Sequence, residues 1–93
     1  MKIEIGQDAI SWFEENIYVG SENGIRFFPK LTRGSNTGIT VGIEPAVPHQ
    51  SNVNTTVNDV TYFIEEGDEW LFDYKDVHIR LDREFNEPMY KTE

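Results

Sequence analysis

A single stretch of this chain spaces its apolar residues at helical intervals, and most of the remainder alternates or is interrupted by glycine and proline. From Asp8 to Ile17, the residues Ala9, Ile10, Phe13 and Ile17 recur at steps of three and four, with Trp12 widening the stripe. That period predicts about three turns of helix with one greasy face. One such helix cannot bury its own face, so it must pack on a sheet. Asp8 complements the helix dipole, whereas Gln7 is a poor cap and Glu14 and Glu15 lie at the unfavourable end.

The sheet is read from the other segments. Lys2–Ile5 alternates polar and apolar, Gly20–Gly24 has turn composition, and Ile25–Leu31 reads as a strand in which Pro29 implies an edge or a bulge. A polar loop over Thr32–Gly38 leads to a strand at Ile39–Ile43. Glu44–Asn58 holds two prolines and many small polar residues, and is expected to be a long irregular excursion with an extended piece near Val53–Val57. Val60–Ile64 is the strongest strand signal, with Val60, Tyr62 and Ile64 on one face and Thr61 and Phe63 on the other. Asp68 is placed to cap one or two helical turns carrying Trp70, Leu71 and Phe72. Val77–Leu81 alternates cleanly, His78 and Arg80 pointing outward, and Phe85, Met89 and Tyr90 are expected to extend an edge around Pro88. The expected fold is mainly β, α+β by content. It is an antiparallel or mixed sheet with one N-terminal helix and one short C-terminal helix, forming a single domain over residues 1–93.

Ninety-three residues bury only about 60–65% of the unfolded chain's surface, and with no cysteine the core is the only staple available. The net charge is −9, most of it late: residues 59–93 carry eleven acidic and four basic side chains, residues 1–58 six and four. Such a balance argues against nucleic acid and anionic membrane surfaces, both of which need a positive face. A protein partner would instead offer a basic docking face, and association would weaken with salt. The chain has no apolar run of signal-peptide or membrane-spanning length, so a cytoplasmic location is expected and the Asn54-Thr55-Thr56 sequon is read as chance.

The order of elements, the DAISWF helix and above all Val60–Asp82 (strand, acidic turn, aromatic short helix, then DYKDVHIRLD) resemble the HesB-like domain family, which includes the A-type iron–sulfur carriers. Within that family the likeness is to short, divergent members of low-GC Gram-positive bacteria. The carriers set one cysteine in an early loop and a Cys-Gly-Cys near the carboxyl end. In this chain the first position falls on Ser35, or on Asn36 if the loop is shortened, and the terminal FNEPMYKTE has no counterpart of the second. A serine hydroxyl is a poor substitute for the thiolates that hold such clusters. The resemblance therefore implies a HesB-like binding or accessory protein, related to iron–sulfur biogenesis by descent but carrying no cluster and performing no catalysis.

Several other residues admit both a chemical role and a plainer one. Glu65, Glu66, Asp68 and Asp76 are possible oxygen ligands for a hard divalent cation, with His78 as a nitrogen donor, but no ligand-loop spacing organises them. A solvated acidic turn accounts for the same residues. Ser35 lacks a nucleophile-elbow sequence, and Gly34–Gly38 precedes a strand, which excludes a P-loop. Trp70, Phe72 and Tyr74 beside the acidic run are candidates for a partner-docking patch, with core packing the alternative. A divalent-metal-binding protein, or a structural homodimer without ligand and using exposed Phe28 and Tyr90, completes the set of readings.

Overall fold

A computed structural model describes residues 1–32, 38–49 and 52–93. In chain order the elements are β1 (Ile3–Ile5), α1 (Gln7–Asn16), β2 (Gly24–Thr32), β3 (Gly38–Pro45), β4 (Asn52–Val57), β5 (Val60–Glu65), β6 (Val77–Asp82) and β7 (Glu87–Thr92). Two 3-10 helices, Gly20–Glu22 and Glu66–Phe72, interrupt the series. The strands form two sheets, one ordered β1-β6-β7 and the other β3-β2-β5-β4. Three antiparallel pairs (β2 with β3, β4 with β5, β6 with β7) are joined by two parallel ones, β1 with β6 and β2 with β5. The sheets are thus mixed, and the fold is mainly β with small helices.

One core serves both sheets. Phe13 of α1 meets Phe27 at 5.7 Å and Tyr62 at 5.4 Å between ring centroids, and all three rings are fully buried. Ile3, Val77 and Ile79 of the smaller sheet join the same cluster as Ile25, Tyr62 and Ile64 of the larger. Truncating a ring such as Phe13 to alanine costs about 3–5 kcal/mol, a large share of the 5–15 kcal/mol of an ordinary domain. The sequence period placed Ala9, Ile10 and Phe13 on the buried face of α1, as observed. β5 is covered on both sides, since Tyr62, Phe63 and Ile64 are all fully buried.

Proline positions follow from the pairing. β5 accompanies β2 only along Gly24–Arg26, while β3 pairs with it from Ile25 to Thr32. Pro29 therefore sits in a two-stranded extension, where its missing N–H has no second neighbour to serve. Pro88 lies on β7, an edge strand. Gly24 passes so close to the Ala46 carbonyl and the Phe63 ring that a side chain there has no room.

Several expectations are corrected. The long excursion shrinks, because β3 runs to Pro45 and β4 begins at Asn52. β4 is polar, yet it pairs in register with β5 from Asn52↔Glu65 to Val57↔Val60, so the neighbouring strand decides its state and not its propensity. Asp68 caps nothing: the position before the 3-10 helix is Glu65, and no side chain caps it. Phe85 stands 67% exposed in the turn before β7 and does not extend the edge. Phe28 and Tyr90 are half-buried and not exposed: Phe28 lies over Gly42 across the β2–β3 pair, and Tyr90 packs edge-on to Phe27 at 5.8 Å. Ser35 and Asn36 lie outside the described residues.

Candidate functional site

The segment joining β5 to β6 combines exposed aromatics with unneutralised carboxylates, and its shape is set from within. Phe72 is 3% exposed and rests against Tyr90 at 6.2 Å, which plugs the end of the 3-10 helix into the core. The chain then reverses through Asp73 and Tyr74, both left-handed at φ 55° and 58°. Consecutive non-glycine residues in that region are uncommon, and for a bulky tyrosine the conformation is strained. The amides of Asp73, Tyr74 and Lys75 donate to the carbonyls of Trp70, Glu69 and Phe72, which holds the reversal closed. The result presents Trp70 at 43% and Tyr74 at 66% exposure.

Arg26 anchors this segment to the larger sheet. Its guanidinium lies 2.8 Å from Asp68 Oδ2, 2.9 Å from Glu65 Oε1 and 3.2 Å from Glu44 Oε1, and it stacks over the Phe28 ring at 5.4 Å. The hydrogen bond to Asp68, then the nearby Glu65, Asp68 and Glu44 charges, raise its pKa above the ordinary arginine value despite partial burial. Two members of the acidic run are thereby committed to structure. Glu66 and Asp73 remain exposed beside the two aromatics, with Glu69 half-buried between them. Charge and apolar area on one exposed turn suit a protein partner with a basic, partly apolar face.

The metal candidates are dispersed. Glu65 and Asp68 hold Arg26, and Asp76 Oδ1 accepts a hydrogen bond from the Lys2 backbone amide at 2.8 Å. His78 Nδ1 lies 2.9 Å from Glu4 Oε2 and Nε2 3.3 Å from Glu93 Oε2. These two carboxylates sit at different ring nitrogens and cannot converge on one ion with it. Among the described residues, no three His, Asp or Glu side chains gather as ligands, and Glu66 joins none of the others. Of the aromatic trio, Trp70 and Tyr74 are open to a partner, but Phe72 is not, because its ring is the plug of the turn. The residue that the sequence reading passed over is Arg26. Its signal was a cation set between apolar residues at the start of the strand IRFFPKL, but its three partners lie on other elements.

Among the described residues no helix is long and apolar enough to cross a membrane. No family model matches the chain. It is 30% identical over 93 residues, spanning 98% of both chains, to a pyruvate dehydrogenase inhibitor of Bacillus subtilis (strain 168). Its fold is similar to that of SufA of Escherichia coli, a protein involved in biosynthesis of iron–sulfur clusters, with a TM-score of 0.58 at 15% identity, covering 99% of this chain and 79% of that one. The HesB-like fold expected from the order of elements is therefore the fold observed. Its donor set does not fit an iron–sulfur cluster, since the chain contains no cysteine and β7 runs through the carboxyl end as EPMYKT. In sequence from end to end, and on a HesB-like scaffold, the chain belongs to the family of the Bacillus subtilis pyruvate dehydrogenase inhibitor.

Proposed function

We propose that this protein is a non-enzymatic regulator that docks on pyruvate dehydrogenase and lowers its activity, using a HesB-like scaffold without the scaffold's cluster chemistry. The observation that carries the reading is the identity of 30% to the named inhibitor along 98% of both chains. An inhibitor of this size works by occupying a surface, so it needs an anchor and complementary charge more than a catalytic constellation. Trp70 and Tyr74 supply the anchor, and Glu66, Glu69 and Asp73 the charge. The strained reversal at Asp73 and Tyr74 holds the anchor in place before binding, which lowers the ordering cost of association. Kinship with iron–sulfur carriers is one of descent and fold; no cluster or metal is part of the action.

The test is a turnover assay of Bacillus subtilis pyruvate dehydrogenase with the purified chain added across a concentration series. A saturable fall in turnover is expected, with protein that has been incubated anaerobically with iron and sulfide showing no cluster absorption and no change in potency. Unchanged turnover at saturating chain removes the reading. A stable cluster chromophore, or inhibition that requires metal loading, removes the cluster-free part of it.

A further inference from the structure

A groove of about 530 Å³ runs along the outer face of β6 and β7. His78 and Arg80 alternate into it from β6, Lys91 stands opposite His78 on β7, and Arg83 approaches from the turn that follows β6. Leu81 and Met89 add apolar surface, Met89 directly across from Arg80. Three of the chain's eight lysines and arginines thus line one groove in a molecule of net charge −9.

Two of the basic groups are already engaged. Asp8 holds Arg80 through contacts of 3.1 and 3.3 Å to Nε and 3.3 Å to Nη2, and His78 lies between Glu4 and Glu93. Among the described residues, neither Arg83 nor Lys91 has an ion-pair partner. The groove also holds a carboxylate of its own, the Glu93 side chain at 3.3 Å from His78 Nε2. That side chain is 72% exposed, so it is held loosely and can be displaced.

From this arrangement we infer that the groove binds a small organic anion, its carboxylate or phosphate drawn by the unpaired cations Arg83 and Lys91 that line it and a short apolar stem lying along Leu81 and Met89. The volume lies within the roughly 300–1,000 Å³ of small-molecule sites. An extended polyanion is disfavoured, because Asp8, Glu4 and Glu93 stand beside the cations and would repel its further charges. An arginine accepts either headgroup through paired N–H donors, so the headgroup is left to the experiment. The inference stands on the groove's own residues and does not depend on the partner proposed above.

Titration of ¹⁵N-labelled protein at low ionic strength tests it, with sodium hexanoate, hexyl phosphate, inorganic phosphate and hexanol as probes. At least one of the two amphipathic anions should shift the amides of residues 78–83 and 89–92 saturably, at least tenfold more tightly than hexanol or inorganic phosphate. The tighter of the pair identifies the headgroup. The double variant Arg83→Gln/Lys91→Gln should weaken that binding by about tenfold or more with the remaining spectrum unchanged, and Glu93→Gln should strengthen it severalfold by removing the internal competitor. Both altered cations are exposed, so folding is not at stake, and added salt gives an independent check on the unaltered protein. The site is refuted by an absence of saturable shifts with both anions, by binding that survives the double variant, or by inorganic phosphate or hexanol binding as tightly as the amphiphiles.

Discussion

Tyr90 and Tyr62 keep hydroxyls in the interior without a protein hydrogen-bond partner among the described residues. Burial pushes the Tyr90 hydroxyl well above the ordinary tyrosine value, with Glu87 adding to it, and Tyr62 moves the same way through burial and then Glu14. The unfolded chain ionises its tyrosines near pH 10, the folded chain only above that. Stability from these groups is therefore complete below about pH 10 and is lost as the pH climbs beyond it. Tyr90→Phe is expected to leave stability at neutral pH within about 1 kcal/mol of the parent, or higher, and to flatten the alkaline loss seen in urea unfolding between about pH 9 and 11. Arg26→Ala should have the opposite character. It leaves Glu44, Glu65 and Asp68 facing one another, and a loss of about 1–3 kcal/mol is expected, below the figure for a deeply buried pair because Arg26 is 28% exposed. Arg26→Lys should restore only part of it, since a point-like ammonium cannot present a planar fork to three carboxylates. Urea unfolding of the three proteins reads both effects. Neither role was legible in the sequence: an arginine between apolar residues is visible, but its partners are fixed by strand register.

At the scale of elements, the period of the apolar residues located α1 and β6 well, because each buries a single face and the pattern records that face. β4 left no such record, since its side chains are mostly polar and its ladder with β5 supplies the order. Asp68 was misread as a cap for a similar reason, its carboxylate being drawn to a guanidinium on another strand. The start of α1 carries no side-chain cap on Gly6 and is instead tied to the smaller sheet through Asp8 and Arg80. The Arg80 hydrogen bond holds the Asp8 carboxyl below its ordinary value of 3.8, the Ala9 and Leu81 amides assisting. A lowered folded-state value means that this tie is complete above the ordinary value and is lost as the pH falls through the lower one. Asp8→Asn should lower the melting temperature at pH 7 and reduce the further drop on going to about pH 3. An unchanged pH dependence would show that the tie contributes nothing.

For the whole molecule, the order of elements was enough to reach the HesB-like fold, and the absence of cysteine is what motivates the proposal that no cluster is held. The proposed docking face was only partly legible. Composition placed the negative charge in the last third of the chain, and the aromatic run beside it was visible as WLFDY. Which rings face solvent depended on the left-handed reversal, and no sequence period marks that. The groove on β6 and β7 was hidden for the same reason, because Arg83 and Lys91 come to line one groove only through the hairpin that joins those strands. We propose that this protein acts by docking through Trp70 and Tyr74 on a basic surface of pyruvate dehydrogenase. The most direct test is equilibrium binding of the chain to immobilised pyruvate dehydrogenase, at about 50 and about 300 mM salt, beside the double variant Trp70→Ala/Tyr74→Ala. Saturable binding that weakens about tenfold or more both in the variant and at the higher salt is the predicted result. An absence of binding, or binding indifferent to the two aromatics and to salt, would contradict the account.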